Sequence, residues 1–259
     1  MLLGCGKMGS ALLSRWLSDG LGPDTVSVIE PCPSNWLKDQ NVTINGEIGS
    51  PPSVCVIAVK PQVMDNALPA VSQFGNGPTL FISIAAGKRI DFFEKELGPR
   101  TPIIRSMPNT PASIGQGITA VTRNSRASDD QVAVAKSLLS AVGETVELPD
   151  EALLDAVTAV SGSGPAYAFL LIETLTAAGV EQGLTRETAE KLAIATVAGA
   201  GRLAKSGQGT PAFLRESVTS PGGTTAAALK ILMDGETGLQ PLMSRAVEAA
   251  AERSRELGG

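Results

Sequence analysis

Gly4-Cys5-Gly6-Lys7-Met8-Gly9 stands between an apolar segment, Leu2-Leu3, and a run in which Met8, Leu12, Leu13, Trp16 and Leu17 recur at helical spacing. A GxGxxG pattern between strand and helix is the context of a dinucleotide-binding turn. The first glycine makes the tight turn, the second admits a pyrophosphate to the backbone, and the third lets helix and strand pack closely. The phosphate charge then meets a helix N-terminus. Glu30 closes the next strand, about twenty residues after Gly9, where an acidic residue belongs. A carboxylate there accepts hydrogen bonds from the adenosine ribose hydroxyls and repels a 2′-phosphate, which favours NADH over NADPH. The plain alternative for Glu30 is a solvated turn residue before Pro31. Only Met1, Leu2 and Leu3 precede the loop. An ordinary strand has about five residues, so a native start further upstream is expected.

The rest of the first half repeats the strand–helix theme. Val26–Ile29, Val54–Val59, Thr79–Ile84 and Pro102–Arg105 are short apolar runs of the kind buried on both faces of a parallel sheet. Ile118–Thr122 alternates more and is expected at an edge. Val63, Ala67, Leu68 and Val71 are expected to form one helical face. Strand, helix, strand in series implies right-handed crossovers and a doubly wound parallel sheet. After Pro149 the strands cease. Helices are expected over Ala152–Val160, from Pro165 through Glu173, from Thr185 to about Lys205, over Pro211–Val218, over Thr224–Met233 and over Leu239–Leu257. The expected organisation is α/β: a dinucleotide-binding domain over 1–148, followed by an all-α domain over 149–259. The helical half is rich in Ala and Gly and has few large side chains, so it is expected to bury surface against a second subunit.

Composition narrows the chemistry. At 259 residues with 43% hydrophobic and 18% charged residues, the chain is a globular protein rather than a disordered one. Its net charge of −5 and its 2 Trp, 1 Tyr and 6 Phe speak against a nucleic-acid partner. With no histidine, a Ser-His-Asp triad, a Cys-His pair and a His-ligated metal are excluded. No metal site is expected. Cys5, Cys32 and Cys55 are scattered and odd in number, which fits a reducing compartment. The N-terminus has neither the charged nor the apolar region of a signal peptide. The longest apolar stretch, Ala166–Val180, falls short of the about 18 to 20 residues that span a bilayer. A cytoplasmic protein with no membrane partner is expected.

Two glycine-rich segments punctuate the helical half. Ser161-Gly-Ser-Gly-Pro-Ala-Tyr167 joins two helices, and Gly and Pro serve equally well as a simple connector there. Thr219-Ser-Pro-Gly-Gly-Thr-Thr225 feeds a helix beginning near Thr224. The N–H groups of Gly223, Thr224 and Thr225 are expected to be unsatisfied helix-start donors suited to a carboxylate. The alternative is ordinary N-capping by a threonine.

The glycine loop, Ala58-Val-Lys-Pro61, Ile84-Ala-Ala-Gly87, Met107-Pro-Asn-Thr-Pro111, Ser161–Tyr167 and Ser220-Pro-Gly-Gly-Thr-Thr225 occur in this order. Together they resemble the Δ1-pyrroline-5-carboxylate reductases over nearly the whole chain. The resemblance implies a Rossmann domain followed by an all-helical dimerisation domain. It implies an oxidoreductase that reduces the C=N bond of pyrroline-5-carboxylate with NADPH or NADH to give L-proline, acting as a homodimer or a larger assembly of dimers. The substrate would lie near the dimer interface, beside the nicotinamide. Position by position, Leu3, Gly4, Cys5, Gly6, Lys7 and Met8 would cradle the pyrophosphate. Ala58, Val59, Lys60 and Pro61 would line the nicotinamide-side ribose, and Ala85 and Ala86 would border the nicotinamide. Asn45 falls at a cofactor-contacting position, as do Glu151 and Glu216. Gly223, Thr224 and Thr225 would hold the substrate carboxylate, with the Thr225 hydroxyl at the ring nitrogen as the catalytic group. Relatives that use NADPH often carry a small, hydroxyl or basic residue where Glu30 stands, so Glu30 leans toward NADH.

Two other readings share parts of this pattern. A β-hydroxyacid dehydrogenase or related imine reductase would need a catalytic lysine on a second-domain helix. Lys191 and Lys205 are available, but neither has glycine-flanked surroundings of the expected kind. A dinucleotide-sensing regulator would bind cofactor without turnover, since fold alone does not fix function.

Overall fold

The computed structural model describes residues 1–258, which form two compact units. The first comprises Met1–Ser163 together with the chain end from Ala250; the second is Gly164–Ala249.

The first unit is built on an eight-stranded sheet: β1 (Leu2–Leu3), β2 (Ser27–Ile29), β3 (Thr43–Ile44), β4 (Val54–Ile57), β5 (Leu80–Ser83), β6 (Ile103–Met107), β7 (Gly117–Arg123) and β8 (Gly143–Glu147). The order is β3-β2-β1-β4-β5-β6-β7-β8. Its helices are α1 (Lys7–Ser18), α2 (Asn35–Lys38), α3 (Met64–Ala67), α4 (Ile90–Leu97), α5 (Asp129–Ser140) and α6 (Leu154–Val157). Short as it is, β1 is central: Leu2 and Leu3 pair in parallel with Val28 and Ile29 on one side and with Val56 and Ile57 on the other.

The apolar runs are continuous because both sheet faces are covered. Leu2, Val56, Leu80, Ile82 and Ile104 pack on one face with Leu12, Leu13 and Trp16 of α1 and Leu139 of α5. Their neighbours Leu3, Cys55, Ile57, Phe81 and Ile103 pack on the other with Met64, Leu68, Phe93 and Leu97. Period-two alternation thus supplies two cores from one set of strands.

Three expectations need correction. Ile118–Thr122 lies in β7, which is interior: it pairs with β6 and with β8, and the edge is β8. The polar sequence Gly-Glu-Thr-Val-Glu concealed that edge strand. The β6–β7 pair is antiparallel in an otherwise parallel sheet. The connection, residues 108–116, is shorter than the dozen or so residues that a parallel crossover requires. The segment after β4 is not one long helix with Val63 facing the core. Pro61 and Pro69 break it into short 3₁₀ and α turns. Met64, Leu68 and Val71 form its buried face, whereas Val63 is 47% exposed.

Ala152–Val160 is helical but irregular. A 3₁₀ turn at Glu151–Leu153 leads into α6 and then a π-helical turn, Thr158–Gly162. Ser163 N–H donates to Thr158 O at 2.8 Å, the five-residue spacing of that turn. Gly162 meets the tip of Met107, since a Cβ there would lie 2.7 Å from Met107 Cε.

The second unit holds α7 (Gly164–Glu181), α8 (Arg186–Lys205), α9 (Pro211–Ser217), α10 (Thr224–Leu232) and the first half of α11 (Leu239–Gly258). Pro165 sits in the first turn of α7, and Thr185 caps α8 by accepting from Thr188 N–H. Among the described residues, α7 and α8 bury only Thr176, Ala189 and Ala193. Phe169, Leu170, Leu192, Phe213, Ile231 and Met233 are exposed. Helices this apolar on their open faces are not satisfied by their own unit. No helix among the described residues is long and apolar enough to cross a membrane.

Candidate active site

In an open α/β sheet, ligands bind beyond the carboxyl ends of the strands where the strand order reverses. Here that point lies between β1 and β4, and the glycine loop occupies it. Gly4 N–H donates to Ile29 O at 2.8 Å, and Ala58 N–H donates to Leu3 O at 2.7 Å. A cleft of about 490 Å³ opens there, lined in part by Leu3, Gly4, Gly6, Glu30, Ala58 and Lys60.

Each glycine of the loop has a distinct physical reason. Gly4 has φ +89°, and a Cβ on it would lie 2.6 Å from Val59 Cγ1. A Cβ on Gly9 would lie 2.6 Å from Gly4 O, so α1 approaches the loop backbone directly. Gly6 has nothing within 4 Å on its side-chain side. It is also the N-cap of α1, and no side chain caps that helix. Open space beside an uncapped helix start is what a pyrophosphate needs. The residues therefore fit a dinucleotide.

Glu30 is half-buried at the end of β2, with its carboxylate turned onto the loop. Oε2 accepts from Cys5 N–H at 2.8 Å, and Oε1 accepts from Cys32 N–H at 3.1 Å. Asn45 holds the Glu30 backbone: its Oδ1 accepts from Glu30 N–H and its Nδ2 donates to Glu30 O, both at 2.9 Å. It does so from a left-handed conformation, φ +51°, which asparagine tolerates. Burial and, to a lesser degree, the neighbouring Glu30 charge push the Cys5 thiol up to about 11.

Lys7 is exposed and Met8 half-buried. Lys60 is exposed, and Pro61 begins the 3₁₀ turn that follows β4 after a short link. Ala85 is 4% exposed and packs in the core, whereas Ala86 is exposed. Of the two, only Ala86 presents its side chain outward. Val63, Asn66, Ala67 and Ala70 also line the cleft. Their spacing of three, one and three is itself a helical face, the one opposite Met64, Leu68 and Val71.

Glu151 is committed inside the first unit. Its Oε1 accepts from Arg105 Nη1 at 2.6 Å and from Ile90 N–H at 2.8 Å. Glu216 is exposed and paired with its neighbour Arg215 at 3.2 Å.

In the second unit, Ser220-Pro221-Gly222-Gly223 forms a turn with left-handed Gly222 at its third position. Gly223 N–H donates to Ser220 O at 3.0 Å. The expectation of a free Gly223 N–H is thus corrected: the turn consumes it. Gly223 is the N-cap of α10 and no side chain caps that helix, so no threonine serves as N-cap. The first-turn donors are those of Thr224, Thr225 and Ala226. Lys191 and Lys205 are both exposed on α8.

Comparison with known proteins agrees with this geometry. Residues 151–257 match the family described as pyrroline-5-carboxylate reductase dimerisation, and residues 1–87 match that described as NADP oxidoreductase, coenzyme F420-dependent. The chain is similar to a pyrroline-5-carboxylate reductase of Synechocystis sp., 43% identical over 99% of this chain and 97% of the relative. It is 40% identical to that of Pseudomonas aeruginosa over 98% and 95%. Among solved structures, a pyrroline-5-carboxylate reductase from Coxiella burnetii aligns with a TM-score of 0.91 at 34% identity, covering 100% of this chain and 97% of the other. The Plasmodium falciparum enzyme with NADP bound aligns at 0.83 with 29% identity over 100% and 97%.

Proposed function

This chain belongs to the pyrroline-5-carboxylate reductase family, and from that premise we propose how its residues share the work. The reaction is reduction of the C=N bond of L-1-pyrroline-5-carboxylate to L-proline, the last step of proline biosynthesis, by a nicotinamide cofactor. A bound reduced dinucleotide supplies the hydride, and the protein supplies binding, orientation and electrostatics.

In our reading, Leu3 to Met8 hold the pyrophosphate through backbone donors and the open side of Gly6. Glu30 takes the adenosine ribose, Ala58 to Pro61 line the second ribose, and Ala85 and Ala86 border the nicotinamide, Ala85 through its backbone. Asn45 acts by fixing the Glu30 backbone. A carboxylate at position 30, with no Lys or Arg from Pro31 to Leu37, supports a preference for NADH over NADPH. A 2′-phosphate would meet a negative charge there.

The observation that carries the substrate assignment is the uncapped start of α10. Backbone donors of Thr224 and Thr225, with Gly223 shaping the turn before them, suit the substrate carboxylate. The Thr225 hydroxyl orients the ring nitrogen by a hydrogen bond. Protonation of the imine by solvent already makes its carbon electrophilic, so orientation matters more than a strong acid. A site without histidine is adequate for this.

Exposed apolar faces on α7, α8 and α10 support homo-oligomerisation through the family's dimerisation region, with the assembly built on dimers. Three free thiols support a cytoplasmic location.

Thr225→Ala is expected to lower kcat about 10- to 1000-fold with the fold intact. Wild-type turnover in that variant would remove Thr225 from the site.

A further inference from the structure

Between β5 and α4 runs the loop 84–89, which contains Ala85 and Ala86. Adjacent residues of β6 hold both of its ends. At the start, Ser106 Oγ donates to Ser83 O at 2.9 Å, and Ser83 Oγ accepts from Ala85 N–H at 3.3 Å. At the end, the hold is indirect. Arg105, paired in register with Ser83, donates to Glu151 Oε1, and the same oxygen accepts the Ile90 N–H at the start of α4. The pair is enclosed, with side chains 7% and 17% exposed. In mid-loop, Gly87 lies backbone to backbone with the chain end: a Cβ on Gly87 would sit 3.1 Å from Leu257 O, and one on Gly258 would sit 3.0 Å from Gly87 O.

We propose that Glu151, held by Arg105, is a positioning residue that fixes the 84–89 loop through the Ile90 N–H and thereby sets the nicotinamide end of the cofactor site. The inference deepens the functional reading above and rests on its placement of Ala86 beside the nicotinamide. A surface ion pair would have no such consequence, because two mobile solvated side chains fix nothing. This one is buried, short, and shares its acceptor oxygen with a main-chain donor. One carboxylate oxygen therefore ties a strand, a helix start and the 3₁₀ turn of Glu151–Leu153 together. The contact leaves Glu151 no spare role as a ligand of the dinucleotide through that oxygen.

The test pairs amide hydrogen exchange on the protein without added dinucleotide with steady-state kinetics. Glu151→Ala is expected to raise exchange over residues 84–90 at least about tenfold, as expected for a locally opened segment. It should lower kcat about 10- to 100-fold, the size of effect a misplacement near 1 Å produces, with a smaller change in dinucleotide KM. Glu151→Gln keeps an oxygen for Ile90 and should recover most of both losses. Because an unpaired buried Arg105 can unfold the chain, the double variant Arg105→Met/Glu151→Leu removes both charges. It should fold, yet retain the fast exchange and low kcat. Unchanged exchange in Glu151→Ala, or wild-type kcat in the double variant, overturns the clamp. Ala86→Val separately tests the reading beneath it: unaltered emission from bound NADH and unaltered kcat would remove Ala86 from the nicotinamide while leaving the exchange result to judge the clamp.

Discussion

Replacing Glu30 separates charge from hydrogen bonding in the choice of cofactor. In Glu30→Gln the side chain keeps an acceptor for Cys5 N–H, now 2.8 Å away, and loses only its charge. In Glu30→Ser both are gone. The charge contribution follows from Coulomb's law. A carboxylate and a doubly charged phosphate about 5 Å apart, at a dielectric near that of water because Glu30 is half-exposed, repel by about 1 to 2 kcal/mol. That is roughly a tenfold shift, since about 1.4 kcal/mol corresponds to a factor of ten. Charge-assisted hydrogen bonds to the ribose contribute about 1.5 to 3 kcal/mol more. Glu30→Gln should therefore raise the ratio of kcat/KM for NADPH over NADH by about 10-fold, and Glu30→Ser by about 100- to 1000-fold. The assay follows nicotinamide absorbance with pyrroline-5-carboxylate and each cofactor in turn. A ratio within about twofold of wild type in both variants would show that Glu30 serves only to tie the glycine loop, and the NADH preference would fall with it.

Further consequences follow from close packing and burial. Gly9→Ala places a methyl 2.6 Å from Gly4 O, and the loop cannot retreat because Gly4 is itself pressed against Val59. The variant should lose about 1 to 3 kcal/mol of stability by overpacking. A calorimetric midpoint equal to wild type would refute that contact. Dinucleotide affinity in the same variant should fall more than its affinity for proline. Burial pushes the Cys55 thiol up from 9.0 to about 12. The fold thus favours the neutral thiol, and its contribution is complete below pH 9.0 and lost as pH rises toward 12. At pH 8, a thiol reagent should modify the exposed Cys32 quickly, the half-buried Cys5 more slowly and the buried Cys55 only on unfolding, and three fast equivalents would contradict the burial of Cys55.

Much of the fold was legible because it depends on local pattern. The short apolar runs, the glycine loop and the small residues of the helical half are signals within windows of ten residues, and each became the expected element. The misreadings occur where a neighbour decides. Gly143–Glu147 is a polar sequence that becomes a strand because β7 offers it a parallel edge. Val63 and Met64 are adjacent apolar residues, and only the cleft on one side and the core on the other distinguish their roles. Asn45 and Glu151 were expected as site positions through resemblance alone. Their partners, the Glu30 backbone and the Arg105–Ile90 pair, lie 15 to 61 residues away in sequence.

By itself the sequence determined the dinucleotide turn, the acidic residue at the end of β2, the exclusion of histidine chemistry and the helix start at Thr224. Those properties reside in residue types and short spacings, where φ, charge and missing side chains act locally. Tertiary structure alone decided that Ala85 faces the core while Ala86 faces out, and that one oxygen of Glu151 joins three elements. Each of these depends on which atoms long-range packing brings within hydrogen-bond or van der Waals distance, and no local pattern specifies that.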